Sequence, residues 1–171
     1  MRQSNTANLT VATAAQMRSL GHALGQALLA ASAQPLVIAI QGELGAGKTT
    51  LVGGILNAVG IVGAVRSPTY TLIEPYEAHG RHFFHLDLYR LADPQEVEAL
   101  GVRDLLTSDA ILLVEWPERG AGTLPPADLD ISIRYPEAAR NDSRQMLLSA
   151  RGPAGERLLS ALLKCDGTQD K

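Results

Sequence analysis

The residues best equipped for chemistry lie in one octet, Gly42-Glu43-Leu44-Gly45-Ala46-Gly47-Lys48-Thr49, followed by Thr50. The spacing is G-x-x-x-x-G-K-[ST], and each residue type answers a need of phosphate binding. Glycines let the backbone wrap tightly enough for successive N–H groups to face phosphate oxygens, and a helix starting just beyond adds the partial positive charge of its N-terminus. Lys48 reaches toward β- and γ-phosphates as a mobile cation. The Thr49 hydroxyl is placed to coordinate Mg²⁺, and Thr50 offers its N–H or hydroxyl on the α-phosphate side. Only three lysines occur in the chain, Lys48, Lys164 and Lys171, so a lysine here does not reflect a lysine-rich composition.

Two acids stand where they can join this chemistry. Asp87 ends the apolar segment His82-Phe83-Phe84-His85-Leu86-Asp87, and an acid at a strand's carboxyl end can face the Mg²⁺ or an attacking water. Glu115 ends the buried run Ala110-Ile111-Leu112-Leu113-Val114, in the manner of a Walker B strand with Glu for the usual Asp. It can hold Mg²⁺ directly or through water. Ser67-Pro68-Thr69 is a hydroxyl-rich loop where such proteins keep the segment that senses the γ-phosphate; the plainer reading is a strand begun by proline. His79, His82, His85 and Asp87 suggest a transition-metal site by type alone. On an extended strand, however, His85 and Asp87 share one face and His82 takes the other, so no structural metal is expected there. Trp116 is either core packing or part of a partner or substrate surface. Arg140 lies on a polar loop from which it can lean toward a nucleotide or simply be solvated.

The elements that must position these residues are legible in outline. Thr13-Ala14-Ala15-Gln16 reads as a capping box ahead of Met17, Leu20, Leu24, Ala27 and Leu28, an amphipathic helix. Leu36–Ile40 is an apolar strand without a polar face, and a helix over about Lys48–Val59 closes at Gly60. The runs Val65–Tyr76 and His82–Arg90 read as a strand pair, and Asp93-Pro94-Gln95-Glu96 starts a helix that stops at Gly101. Leu129–Tyr135 and Arg144–Ala150 form an antiparallel pair, with a last helix over about Glu156–Lys164. The pattern predicts an α/β, three-layer P-loop NTPase-like fold, with a mostly parallel sheet and antiparallel strands toward the C-terminal end. A chain of 171 residues fits a single domain over residues 1–171, with an ordered core of about 11–164 and a frayed start.

Composition narrows the function. The chain is 46% hydrophobic and 19% charged, with a net charge of −3, which argues against direct, stable nucleic-acid binding. Its one cysteine cannot form an internal disulfide, residues 1–10 lack an apolar signal core, and no apolar run approaches membrane-spanning length, so a cytoplasmic location without a membrane partner is expected.

Taken together, the loop over Gly42–Thr50, Ser67-Pro68-Thr69-Tyr70-Thr71, His85-Leu86-Asp87-Leu88-Tyr89-Arg90 and Val114-Glu115-Trp116-Pro117-Glu118 closely resemble the TsaE (YjeE) family. The likeness runs from about Gly21 to Tyr135. It implies the ATPase component of bacterial tRNA threonylcarbamoyladenosine synthesis, slow on its own and partnered by TsaD and TsaB, with tRNA met indirectly through that complex. The resemblance makes Gly45, Ala46, Gly47, Lys48, Thr49 and Thr50 the phosphate-binding residues and assigns Mg²⁺ to Thr49 and Glu115. It matches Asp87 to an acid important for ATP hydrolysis, sets Thr69 in a switch-like segment, and matches Trp116 to a residue linked to function. Thr13 stands where many members carry an acid near the nucleotide base, and Arg140 where Gly-Arg is common, which makes both candidate ATP contacts. Lys48, Thr69, Asp87 and Glu115 are thus the expected catalytic set. The alternatives are a small-molecule kinase with Arg134, Arg140 and Arg144 as a lid, a GTP-dependent switch, which lacks an Asn-Lys-x-Asp guanine reader, and a nucleotide-loaded scaffold.

Overall fold

Two apolar runs form the centre of the molecule. In the computed structural model, which describes residues 5–32, 34–136 and 143–166, strand β2 (Leu36–Gly42) pairs in parallel with β5 (Ala110–Glu115), Leu36 opposite Ile111 and Ile40 opposite Glu115. Side chains alternate between the two faces of a strand. Leu36, Ile38, Ile40, Ile111 and Leu113 enter one core, while Val37, Ala110, Leu112 and Val114 enter a second. A sheet covered on both sides leaves neither strand a polar face.

The remaining strands are β1 (Thr6–Val11), β3 (Ile73–Ala78), β4 (Arg81–Asp87), β6 (Leu129–Arg134) and β7 (Arg144–Ala150). All seven form one sheet in the order β1-β7-β6-β2-β5-β4-β3. The first core is covered by helices α1 (Ala14–Ala30), α2 (Lys48–Ala58) and α4 (Gly152–Asp166). The second is covered by the one-turn helix α3 (Glu96–Ala99), the 3₁₀ turn Val102–Leu105 and the chain around Leu124. No helix among the described residues is long and apolar enough to cross a membrane.

The structure departs from the sequence reading in three places. The polar start of the chain contains a strand: Thr6–Val11 is an edge strand antiparallel to β7, with Ala7, Leu9 and Val11 turned toward the core and Thr6, Asn8 and Thr10 toward solvent. A strand half exposed in this way looks merely polar. The sheet is mixed, with β2–β5, β2–β6 and β4–β5 parallel and β1–β7, β6–β7 and β3–β4 antiparallel, so antiparallel pairs lie at both edges. The run Val65–Tyr76 contributes strand only from Ile73. Before that the chain turns, the Leu72 N–H donating to the Pro68 carbonyl, and Leu72 takes a left-handed φ of 65°.

Helices α1 and α2 approach until their backbones touch. A Cβ on Gly21 would lie 2.3 Å from the Leu51 carbonyl oxygen, and one on Gly54 would lie 2.4 Å from that of Arg18. Only glycine fits at that crossing. At the far edge of the sheet, β3 exposes Glu74, Pro75 and Glu77.

Candidate functional site

The carboxyl ends of β2, β5 and β4 lie side by side, with Ile40 opposite Glu115 and Asp87 opposite Glu115 in the two registers. The loop from Gly42 leads straight into α2, whose N-cap is Gly47. Gly45 and Gly47 hold left-handed φ values of 77° and 109°, and a Cβ on Gly47 would press on the Met17 side chain at 3.2 Å. The loop thus wraps its backbone tightly at a helix N-terminus, a geometry that suits phosphate.

Lys48 is the first residue of α2 and is nearly buried. Its Nζ donates to the Gly42 and Glu43 carbonyls at 2.7 and 2.9 Å and lies 3.8 Å from the centroid of the Trp116 ring. Burial lowers its pKa below the ordinary 10.5, opposed by the carboxylates of Glu115, Glu118 and Asp87. Its amine sits within the field of three acids and on a flexible stem.

Glu115 is 2% exposed and uses both oxygens: Oε2 accepts from the Thr49 hydroxyl at 3.0 Å, and Oε1 lies 2.8 Å from His85 Nε2. Hydroxyl and carboxylate oxygens are the hard donors that Mg²⁺ prefers, and a pair of them suits an ion that keeps several waters. Among the described residues no group of three or more His, Cys, Asp or Glu is arranged to hold a metal ion. Asp87, 3% exposed, accepts through Oδ2 from the hydroxyls of Ser67 and, at 3.2 Å, Thr69, and the two hydroxyl oxygens lie in close contact with each other. Its Oδ1 accepts from the Tyr89 N–H at 3.0 Å. The turn before β3 therefore brings Ser67 and Thr69 onto the acid.

The other expected contacts fall as follows. Thr13 caps α1, its side chain accepting from the Gln16 N–H at 3.1 Å while Gln16 Oε1 accepts from Ala12 N at 2.7 Å. It also lines a cavity of about 450 Å³ with Gly45, Ala46, Gly47, Thr50 and Arg144, so it borders the glycine loop. Arg140 lies outside the described residues. Trp116, at a left-handed φ of 57°, sets its ring 4.9 Å from that of Tyr89 and borders a second, wider cavity of about 880 Å³ with Gly42, Glu43 and Tyr135. His82 bonds Asp109 at 2.7 Å, away from the site, and His79 sits in the β3–β4 turn. Sequence reasoning overlooked His85 as a neighbour of Glu115 and Ser67 as a partner of Asp87. The two-residue alternation already put His85 on the face of Asp87; the missing information was that β5 lies beside β4.

A model of the family described as threonylcarbamoyl adenosine biosynthesis protein TsaE matches residues 11–146. A tRNA threonylcarbamoyladenosine biosynthesis protein TsaE from Haemophilus influenzae is 47% identical over 126 residues, 74% of this chain and 77% of the relative. The protein of the same name from Bacillus subtilis is 36% identical over 140 residues, 81% and 85% of the two chains. The crystal structure of Bacillus subtilis YdiB shares the fold, with a TM-score of 0.72 at 24% identity, covering 97% of this chain and 99% of that one.

Proposed function

The chain belongs to the TsaE family of threonylcarbamoyl adenosine biosynthesis proteins, and from that membership and the site we propose that it is the ATP-binding and ATP-hydrolysing component of bacterial tRNA threonylcarbamoyladenosine modification. On this reading it is a single P-loop ATPase domain that works in the cytoplasm with TsaD and TsaB and meets tRNA through them. The amides of Gly45–Thr50 bind the phosphates, and Lys48 leaves the Gly42 and Glu43 carbonyls to reach the β- and γ-phosphates. Thr49 and Glu115 would hold Mg²⁺, which when bound neutralises charge on the triphosphate. Asp87 orients the attacking water, Thr69 faces the γ-phosphate, and Thr13 is a candidate contact near the base; Arg140, outside the described residues, is a candidate contact for the nucleotide. Among the described residues the side chains bonded to Glu115 and Asp87 include no arginine. That supports slow turnover alone and completion of the site by a partner, because charge stabilisation supplies much of the rate in phosphoryl transfer.

The observation that carries this reading is the Thr49–Glu115 bond, which ties the first turn of the loop's helix to a strand end beside Asp87. Purified Lys48→Ala is expected to lose ATP binding. Asp87→Ala and Glu115→Ala should retain nucleotide and lose on the order of 10²-fold or more in phosphate release. Unchanged turnover in all three overturns the assignment. Reconstituted tRNA modification with and without this protein tests the partnership with TsaD and TsaB.

A further inference from the structure

Resting on that reading, we propose that His85 is a positioning residue for Glu115: it engages one carboxylate oxygen, so that the other alone is left to face Thr49 and a divalent cation. The two side chains are 0% and 2% exposed and 2.8 Å apart. A carboxylate only accepts, so Nε2 carries the hydrogen and donates to Oε1. The terminal torsion of a glutamate is broad and roughly two-fold, so Glu115 on its own can rotate to offer either oxygen, or both. The Thr49 and His85 bonds to opposite oxygens remove that freedom.

The other ring nitrogen shows that the histidine is not there for packing. Nδ1 is buried with no hydrogen-bond partner among the described residues, an arrangement with a desolvation cost that an apolar side chain of similar size would avoid. Among the described residues, the ring's one side-chain bond is the one from Nε2 to Glu115. Strand β4 carries His85 and Asp87 on one face, two residues apart, so a single strand orients both acids of the site. Hydrogen bonds to a ligating side chain commonly set metal affinity by 10- to 100-fold. With Oε1 engaged, the site is biased toward small octahedral ions and against Ca²⁺, which readily takes a carboxylate through both oxygens.

The test uses the full chain with ADP and Mn²⁺, bound Mn²⁺ being read by electron paramagnetic resonance, with Ca²⁺ as competitor. His85→Leu is expected to weaken Mn²⁺ binding by about 10- to 100-fold, to let Ca²⁺ compete more effectively, and to leave ADP affinity in EDTA unchanged. His85→Gln, whose amide nitrogen can donate from nearly the same place, should recover most of the loss. A long-range ¹H–¹⁵N spectrum of the metal-free protein should show the His85 hydrogen on Nε2. Wild-type Mn²⁺ affinity in folded His85→Leu overturns the proposal, as do equal losses in the Leu and Gln variants or a hydrogen found only on Nδ1. If the Leu variant does not fold, the Gln variant, the Ca²⁺ competition and the spectrum still decide. Thr49→Val and Glu115→Gln separate the two levels: if neither alters Mn²⁺ binding, the site reading itself fails and this inference falls with it. If both do and His85→Leu does not, only the role of His85 is lost.

Discussion

Asp128 ties β2, β6 and α4 together at the end of the sheet opposite the site. Its N–H donates to the Val37 carbonyl at 2.8 Å, its Oδ2 accepts from the Val37 N–H at 2.9 Å, and its carbonyl accepts from Arg151 N at 2.8 Å. Burial pushes its carboxyl above the ordinary 3.8, with the Val37 bond pulling the other way. A carboxyl raised on folding contributes stability that is fully present below its unfolded value and lost as pH rises through the folded one. Asp128→Asn keeps an oxygen for Val37 without the charge. It is expected to melt at or above the wild-type temperature at pH 7 and to lose that advantage near pH 3, as thermal melts across the range would show. At this scale the sequence disclosed the two acids of the candidate site but not what they touch. Glu115 and Asp87 each close an apolar run and were visible for that reason. Their bonds to Thr49, His85 and Ser67 depend on which strands and turns become neighbours, and no local pattern encodes that.

The elements that flank the site act as one unit because α1 and α2 touch through Gly21 and Gly54. Helix α1 begins at the Thr13 cap and α2 at Lys48, and both beginnings lie at the glycine loop over residues 42–47. Gly21→Ala places a methyl group against the Leu51 carbonyl, an overpacking expected to cost about 1–3 kcal/mol in urea unfolding. It should also weaken nucleotide binding, since α2 can yield only by shifting. The helices themselves were legible from capping and periodicity, the Thr13–Gln16 box above all, but glycines inside a helical pattern do not announce a crossing. The same limit explains β1, whose alternation is diluted by threonine and asparagine, and the turn over residues 67–72, whose β-branched residues resemble a strand until Asp87 is seen to accept from Ser67 and Thr69.

For the whole molecule, a sheet of seven strands places its working groups along one end and its structural ties at the other, where the Arg81 guanidinium donates to the Gln34 and Leu28 carbonyls beyond and within the end of α1. The central four strands were recognisable from composition, whereas the order in which they pair follows from crossovers that only the folded chain displays. An open sheet also has rims, and the one formed by β3 carries Glu74, Pro75 and Glu77 toward water. A stray chain trying to stack itself there would meet repelling charge and a residue with no amide hydrogen to offer. The triple change Glu74→Thr, Pro75→Val, Glu77→Thr should therefore quicken fibril growth under agitation, followed with an amyloid dye. The rim thus opposes self-templated assembly on the strand beside β4, the strand that also carries His85 and Asp87.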